Sequence, residues 1–424
     1  HRTLIIVIVA LSLIVSETIP LPAVAMLILI MEVVLGVDTP DGVASSFMSD
    51  AVLFIMGSLM LAVSIVHQGL DKRLALLVIT ITGNKTWRIV LGFVTISALL
   101  SSFIGEHTVG AMMLPVALAL IRNAGLDTGK ATKLSSVLLF SIAYGCAIGS
   151  IGTPSGGGRN AIMIGYLAEF GMAEISYLDW IKMTYPMLIL EIPIVSLILW
   201  RTFTPSQKTM DSSVRKLKVQ VAKKGKLNAN QIMAIGIFIL VFLGWIFFSP
   251  IFGLGTVALS GVFLYLSFGL INWKEINRNT NWGVILLFGS AISLGIQMKE
   301  TGAAFWVAGQ TLTYLEIIFQ DVEIVRWFVS VIVTGLLTNL LSSAATVAVL
   351  GPIVLDMGGN PVITGFMTSI ASAFAYLTVV ASPTCMIIHS TGLITASDYF
   401  KAGWKLFIIS VFLLLIVSLF YWPS

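Results

Sequence analysis

The chain has 424 residues, of which only 10% are charged and 57% are hydrophobic, and its mean hydropathy is +1.00. An average soluble domain carries about 25% charged residues, so this composition excludes an ordinary water-soluble enzyme or binding domain. The formal net charge of +4 is a weak signal by itself. The two cysteines, Cys146 and Cys385, lie in apolar sequence and imply no disulfide framework.

Apolar segments recur along the whole chain, and several approach the ~20 residues needed to cross a bilayer. They are continuous rather than alternating, which favours helices over a β-barrel. We therefore predict an all-α polytopic membrane protein. Its predicted helices cover about 3–16, 21–37, 51–68, 87–103, 109–122, 132–151, 160–170, 181–203, 230–248, 253–271, 282–298, 326–341, 345–356, 361–380, 384–393 and 402–421.

Four of these helices are short and pair into two predicted re-entrant hairpins, 87–122 and 326–356, with polar tips at 105–108 and 342–344. Two further helices, 132–170 and 361–393, are interrupted by residues rich in glycine, proline and hydroxyl groups. The interruptions lie at 152–160 and 381–384. Polar backbone at membrane depth is tolerated only where protein or a water-filled cavity surrounds it. The tips and breaks are therefore predicted to converge.

The order of hairpin and broken helix occurs twice. The tips lie 237 residues apart (105 and 342), the breaks 229 apart (152 and 381), and Gly57 and Gly289 lie 232 apart. We interpret this spacing as an internal duplication, with repeats at 1–203 and 230–424 and a linker at 204–229.

The linker region is strongly basic and predicts the orientation of the chain. Its basic residues are Arg201, Lys208, Arg215, Lys216, Lys218, Lys223, Lys224 and Lys226, against the single acid Asp211. The positive-inside rule places it in the cytoplasm. Counting from it gives five crossings per half, with the two halves inverted, as in secondary transporters. The count puts His1 outside, so we expect a further helix before it.

Four stretches carry a resemblance to a known family: Ser16 to Pro22, Gly69 to Arg73, Met112 to Pro115 and Gly152 to Pro154. With the order of the repeats, they resemble the divalent anion:sodium symporter family, which takes up dicarboxylates, citrate and sulfate. In that family each tip reads Ser-Asn-Thr, ten residues before a proline. Here that spacing selects Gly105-Glu106-His107 and Ser342-Ser343-Ala344, and both tips depart from the pattern.

The resemblance implies a homodimer in which a transport domain moves past a scaffold, an elevator mechanism, with sodium as the coupling ion and no cofactor. It implies one sodium at Ser101, Gly105, Glu106 and Gly152, and a second at Thr338, Leu341, Ser343 and Ala381. The residues expected around the anion are Glu106, His107, Thr108, Thr153, Pro154, Arg159, Asn160, Ser342, Ser343, Ser382 and Pro383.

Glu106 is a carboxylate at membrane depth, where acids are costly and usually functional. It either binds the coupling cation or forms a structural ion pair. Arg159 either pairs with Glu106 or clamps the anion through its guanidinium. The glycines before Arg159 also suggest a phosphate loop, although no Lys-Ser/Thr follows.

His107 and His389 are either structural residues or proton carriers. With Glu106 and Cys385 they could also form a zinc site, which would suggest an intramembrane hydrolase, but HExxH spacing is missing. The sequence thus predicts a sodium-coupled symporter of a small anion such as a dicarboxylate, in a bacterial inner membrane. Alternatives are a proton-coupled or exchange transporter using Glu106 and His107, the zinc hydrolase, and a non-transporting receptor.

Overall fold

The computed structural model describes residues 2–16, 18–70, 73, 82–124, 132–222 and 227–422, and they form helices almost throughout. Within those ranges the only β contact is an isolated bridge between Lys85 and Thr209. Six of the described helices are long and apolar enough to cross a membrane: Asp50–His67, Thr86–Ile104, Tyr177–Phe203, Ala229–Ser267, Trp282–Glu300 and Ala396–Phe420. The predicted all-α polytopic class is confirmed.

Some residues used for the predictions lie outside the described part of the chain, namely Glu17, Asp71, Lys72 and residues 223–226. The other described helices are Arg2–Ser16, Leu21–Val34, Pro40–Phe47, Glu106–Asn123, Lys133–Gly149, Gly158–Glu169, Asp211–Ala222, Trp273–Asn279, Ala303–Phe319, Val322–Trp327, Thr334–Leu337, Ser343–Asp356, Pro361–Ala371 and Pro383–His389, with a 3₁₀ turn at Pro154–Gly156 and a π-helical turn at Phe328–Val333.

The first hairpin consists of Thr86–Ile104 and Glu106–Asn123, which are joined at Gly105 alone. Gly105 has φ 90° and ψ 145°. A side chain at such a positive φ would be strained, so glycine allows the chain to turn within one residue. Beside this hairpin lies the first broken helix, Lys133–Gly149 and Gly158–Glu169, with the first break at 150–157.

The second hairpin runs from Val322 to Asp356, and its two arms meet at a tip formed by residues 338–342. The second broken helix consists of Pro361–Ala371 and Pro383–His389, and the second break is 372–382. A helix was predicted to continue to 380, and that was wrong. The side chain of Asn339 donates to Phe374 O at 2.9 Å and accepts from Leu377 N at 2.7 Å, which stabilises an unwound backbone there.

Four helices were not predicted: Pro40–Phe47, Asp211–Ala222, Trp273–Asn279 and Ala303–Phe319. The apolar run of the last of these is interrupted by polar residues, and the helix was not predicted for that reason. The interrupting residues are Gln310, Thr311, Thr313 and Glu316. The count of five crossings in the second half omitted this helix. The orientation of the second hairpin therefore remains a prediction.

No helix was predicted in the linker, but it contains the helix Asp211–Ala222. Met210 and Val214 are buried at its start, and Ser213 Oγ donates to Leu120 O at 3.2 Å. Hydrogen bonds from Asn84 and Thr209 hold the pKa of the Asp211 carboxyl below its ordinary value. The linker is thus docked against the first hairpin by its helix.

The helix Ala229–Ser267 is interrupted at Gly253, which has φ 80°, and so contains the two helices predicted on either side of that point. The Asp50 carboxylate accepts from Leu254 N at 2.9 Å and from Gly255 N at 3.0 Å. It satisfies the free N–H groups where the helix resumes. This contact fixes Asp50–His67, which lines the site described next, against the start of the second half.

Candidate functional site

A cavity of about 260 Å³ lies where both hairpin tips and both broken helices meet. Much of its lining comes from the first tip, the first break, the second tip and the start of Pro383–His389. The lining residues from these parts are Gly105, Glu106, His107, Pro154, Ser155, Gly156, Gly157, Gly158, Arg159, Ser342, Ser343, Ala344 and Pro383. Of the described residues around it, only Glu106 and Arg159 carry a full charge. The size suits a small ion rather than a drug-sized ligand.

Side-chain hydrogen bonds cross between the two halves of the chain around this cavity. Thr384 Oγ1 of the second broken helix donates to the carbonyl oxygen of Glu106 at 2.9 Å. Ser369 Oγ donates to Asn160 Oδ1 at 3.0 Å. Each half therefore fixes part of the other half's site, so the cavity depends on the two halves together.

Arg159 is the cation of the cavity and is only 2% exposed. Its Nη1 donates to Ser343 Oγ at 3.3 Å, and its Nη2 donates to Ser150 Oγ. Its Nε has no hydrogen-bond partner in the described part of the chain. The ion pairs found among the described residues do not include Arg159 with Glu106. The guanidinium therefore keeps hydrogen-bonding capacity that no described carboxylate uses.

Four helices begin at the cavity, at Glu106, Gly158, Ser343 and Pro383. A helix N-terminus carries partial positive charge and N–H groups without intrahelical partners. Several such ends facing one space make it suitable for carboxylate, sulfate or phosphate oxygens. The arrangement can therefore bind an anion through backbone groups as well as through Arg159.

The glycines before Arg159 have a packing role. A Cβ built at Gly158 would lie 2.0 Å from Phe288 Cε2, so the break packs directly against the helix Trp282–Glu300. This close contact accounts for the glycine run without a phosphate loop. Sequence reasoning missed several site neighbours, namely Ser58, Ser150, Asn281 and Phe288. The matching stretches 54–58 and 287–290 were noticed only as evidence for the repeat.

Several predicted residues lie beside the cavity rather than on its lining. Ser101 Oγ donates to Cys146 O at 2.9 Å, and Thr338 Oγ1 donates to Ser372 O at 2.7 Å. Thr153, Asn160 and Ser382 hydrogen-bond within or next to the breaks. Gly152, Leu341 and Ala381 are buried, and Thr108 is half-buried in the first turn after the first tip.

The residues considered for zinc do not gather at the cavity. Glu106 and His107 line it, whereas Cys385 and His389 do not. Among the described residues, no group of three or more histidine, cysteine, aspartate or glutamate side chains could hold a metal ion.

Comparison with known proteins gives the family. The family model for the sodium:sulfate symporter transmembrane region matches residues 1–424. A sodium-dependent dicarboxylate transporter, SdcS, of Staphylococcus saprophyticus is 27% identical over 439 residues, covering 96% of this chain and 83% of that protein. Sodium-dependent high-affinity dicarboxylate transporter 3 of Caenorhabditis elegans is 24% identical over 453 residues, covering 96% and 80%.

Two solved transporter structures share the fold. The YdaH transporter of Alcanivorax borkumensis has a TM-score of 0.58 at 14% identity, over 89% of this chain and 86% of that one. MtrF of Neisseria gonorrhoeae has a TM-score of 0.59 at 11% identity, over 90% and 82%. Since the family and these relatives are transporters, the zinc-hydrolase alternative has no support. The chain is an integral, multi-pass membrane transporter and belongs to the sodium:sulfate symporter family, as the resemblance to divalent anion:sodium symporters indicated.

Proposed function

We propose that the protein takes up a small dicarboxylate together with sodium ions. One observation carries the proposal: four helix N-termini and the buried Arg159 guanidinium face one cavity of about 260 Å³. Such a site favours a compact anion with oxygens at both ends. The names of the relatives add sodium dependence and dicarboxylates as the substrate class.

The charge of the cavity explains why a cation is needed. Arg159 and Glu106 contribute one positive and one negative charge, so together they offer a dianion no net attraction. The helix ends add about half a charge each, an attraction that the Glu106 carboxylate opposes while no cation compensates it. Sodium bound near Glu106 would leave the Arg159 charge free for the anion. Binding of the anion would then depend on sodium, which is the basis of coupled transport.

We place the two sodium ions as the resemblance implies, one per hairpin tip. The first would use Ser101, Gly105, Glu106 and Gly152, and the second Thr338, Leu341, Ser343 and Ala381. In support, the Ser101 hydroxyl donates to a carbonyl in the last helical turn before the first break, and the Thr338 hydroxyl donates to the carbonyl that begins the second break. A hydroxyl that donates in this way keeps its oxygen lone pairs available, and oxygen is the ligand that a hard cation prefers.

The remaining parts of the proposal concern movement and setting. The two hairpins and broken helices would form a transport domain that moves past a scaffold in an elevator movement. The protein would act as a homodimer in a bacterial inner membrane, with two inverted repeats and residues 204–229 in the cytoplasm. A double cysteine cross-link scan between the hairpins and Asp50–His67, in both transport states, would test the movement.

Uptake into proteoliposomes tests the function. With an inward sodium gradient we expect radiolabelled succinate to accumulate above its equilibrium level, and we expect no accumulation when choline replaces sodium. Sulfate and citrate, added in excess, would rank the substrate class by competition. Absence of flux of any anion under any cation gradient would contradict transport.

The proton-coupled alternative is favoured by one observation, the adjacent placement of Glu106 and His107 on the cavity lining. It makes a distinct prediction in the same vesicles. An inward proton gradient without sodium would then drive accumulation, and sodium would have no effect.

A further inference from the structure

A second buried carboxylate lies away from the cavity, at the middle of the membrane helix Tyr177–Phe203. Glu191 is 1% exposed, and neither carboxylate oxygen has a hydrogen-bond partner in the described part of the chain. At 1.5 Å per residue it lies roughly 20 Å from either end of its helix. A carboxylate at that depth is costly and calls for a compensating positive charge.

Two hydroxyl groups from other elements lie next to this carboxylate. Ser410 of the helix Ala396–Phe420 and Tyr376 of the second break are both 0% exposed, and the oxygens of their hydroxyl groups also lack hydrogen-bond partners. Ser410 Oγ lies beside both the Glu191 carboxylate and the Tyr376 hydroxyl, without completing a hydrogen bond to either. Four buried oxygens from three elements are therefore gathered, and none has a hydrogen-bond partner among the described residues.

No cation of the described chain neutralises Glu191. The described ion pairs do not include it. On the neighbouring helices, Lys405 Nζ donates to Thr202 Oγ1, and Tyr144 Oη donates to Tyr376 O. Arg159 lies close enough to the Tyr376 hydroxyl to interact with it electrostatically, but Glu106 does so with the opposite sign. A single carboxylate in an apolar interior without a partner is destabilising unless a bound ion compensates it.

We propose that Glu191, Ser410 and Tyr376 form a further sodium site, with both carboxylate oxygens and the two hydroxyl oxygens as ligands. An all-oxygen set that includes one carboxylate matches a hard cation. This site rests on the proposed function in taking sodium as its ion. None of its residues belongs to the two sodium positions proposed at the hairpin tips.

The position of Tyr376 links the proposed sodium site to the cavity through the second break. Tyr376 lies within the second break, whose backbone is also tied to the second hairpin by Asn339 Oδ1, which accepts from Leu377 N at 2.7 Å. The same break ends at Pro383, which lines the cavity. A sodium ion on Tyr376 would order this break and so favour the conformation that binds the anion.

The test measures the thermal midpoint of the purified full-length chain in sodium chloride, against choline chloride at equal ionic strength and without any anion. We expect Glu191→Gln to raise the sodium concentration for half-maximal stabilisation by at least ~10-fold, since ligand charge sets cation affinity. Tyr376→Phe and Ser410→Ala, which remove one oxygen each, should raise it less. They keep the test decisive if Glu191→Gln does not fold.

Glu32→Gln is the matched control. Glu32 is also fully buried in an apolar helix, but only its Oε1 lacks a described hydrogen-bond partner, because Ser293 Oγ donates to its Oε2 at 2.7 Å. We expect this variant to keep the wild-type sodium response. A normal sodium response in Glu191→Gln, Tyr376→Phe and Ser410→Ala would overturn the site.

Two further outcomes separate this site from its alternatives. If Glu191 is simply protonated, sodium affects wild type and Glu191→Gln equally while their stability difference varies with pH, and the sodium site is wrong. If vesicles show no sodium-driven uptake but the Glu191-dependent sodium response persists, the proposed function fails and the site stands.

Discussion

The chain contains two pairs, each made of one hairpin and its broken helix. The two pairs share one frame, the hydrogen bonds by which each hairpin holds its broken helix, but they differ in charge. In the first, Ser101 and Ser102 donate to Cys146 O and Gly149 O at 2.9 and 2.8 Å. In the second, the residues 237 positions later, Thr338 and Asn339, donate to Ser372 O and Phe374 O at 2.7 and 2.9 Å. Each hairpin thus holds its broken helix, at the break or just before it, through two neighbouring side chains.

The difference lies at the tips and in the breaks. Glu106, His107 and Arg159 all belong to the first pair, whereas the corresponding parts of the second pair, 338–345 and 372–382, contain no charged residue. The residue 237 positions after Glu106 is Ser343, and Arg159 Nη1 donates to Ser343 Oγ at 3.3 Å. The comparison teaches that the common frame creates the cavity, whereas the first pair supplies its charge.

The largest effect should follow from removing the positive charge of the first pair. A hydrogen bond to a charged group contributes about 1.5–3 kcal/mol, so Arg159→Gln should weaken anion affinity about 10- to 150-fold. The half-saturating succinate concentration for uptake measures this. Arg326→Gln is the control, because Arg326 pairs with the exposed Glu323 away from the cavity. Normal affinity in a poorly folded Arg159→Gln protein would show a structural role instead.

A second prediction compares the equivalent positions of the two tips. Glu106→Gln should raise the sodium concentration needed for half-maximal uptake by about tenfold, because the charge of a ligand is lost. Ser343→Ala removes one hydroxyl and should change anion affinity only about 2- to 10-fold. Equal effects of the two changes on sodium dependence would remove the distinction between the tips.

The smallest functional effect, but a clear effect on stability, is expected in the frame. The Asn339 amide donates to Gly335 O and Phe374 O and accepts from Leu377 N, so Asn339→Ala leaves several buried groups without partners. Each such group costs about 1–3 kcal/mol. Ser102→Ala loses a single hydroxyl and should cost about 1 kcal/mol. Thermal midpoints of the two variants measure the difference, and a reversed order would contradict it.

Much of this frame could be predicted from the sequence. Gly105, Pro115 and Pro352 mark the hairpins, and the apolar runs mark the long helices, because continuous hydrophobicity and glycine or proline breaks act locally. The offset of 237 residues, read from the tips alone, also makes Thr338 and Asn339 the equivalents of Ser101 and Ser102 in the second repeat. The charge of the tips was likewise visible as a departure from the family pattern.

The rest depends on contacts between distant residues. The second break begins at 372 because Asn339 replaces the helical hydrogen bonds of that segment, and nothing in the local sequence shows this. Ala303–Phe319 has mixed polarity and was missed for that reason. The neighbours Ser150 and Phe288 join the site only through tertiary packing.

Binding without transport tests the central claim most directly. We predict that succinate raises the thermal midpoint of the purified protein in sodium chloride and leaves it unchanged in choline chloride at equal ionic strength, because only the sodium-bound cavity attracts a dianion. The shift should disappear in Arg159→Gln and persist in Arg326→Gln. An equal shift in sodium and choline, or one that survives in Arg159→Gln, would contradict sodium-dependent anion binding at this cavity.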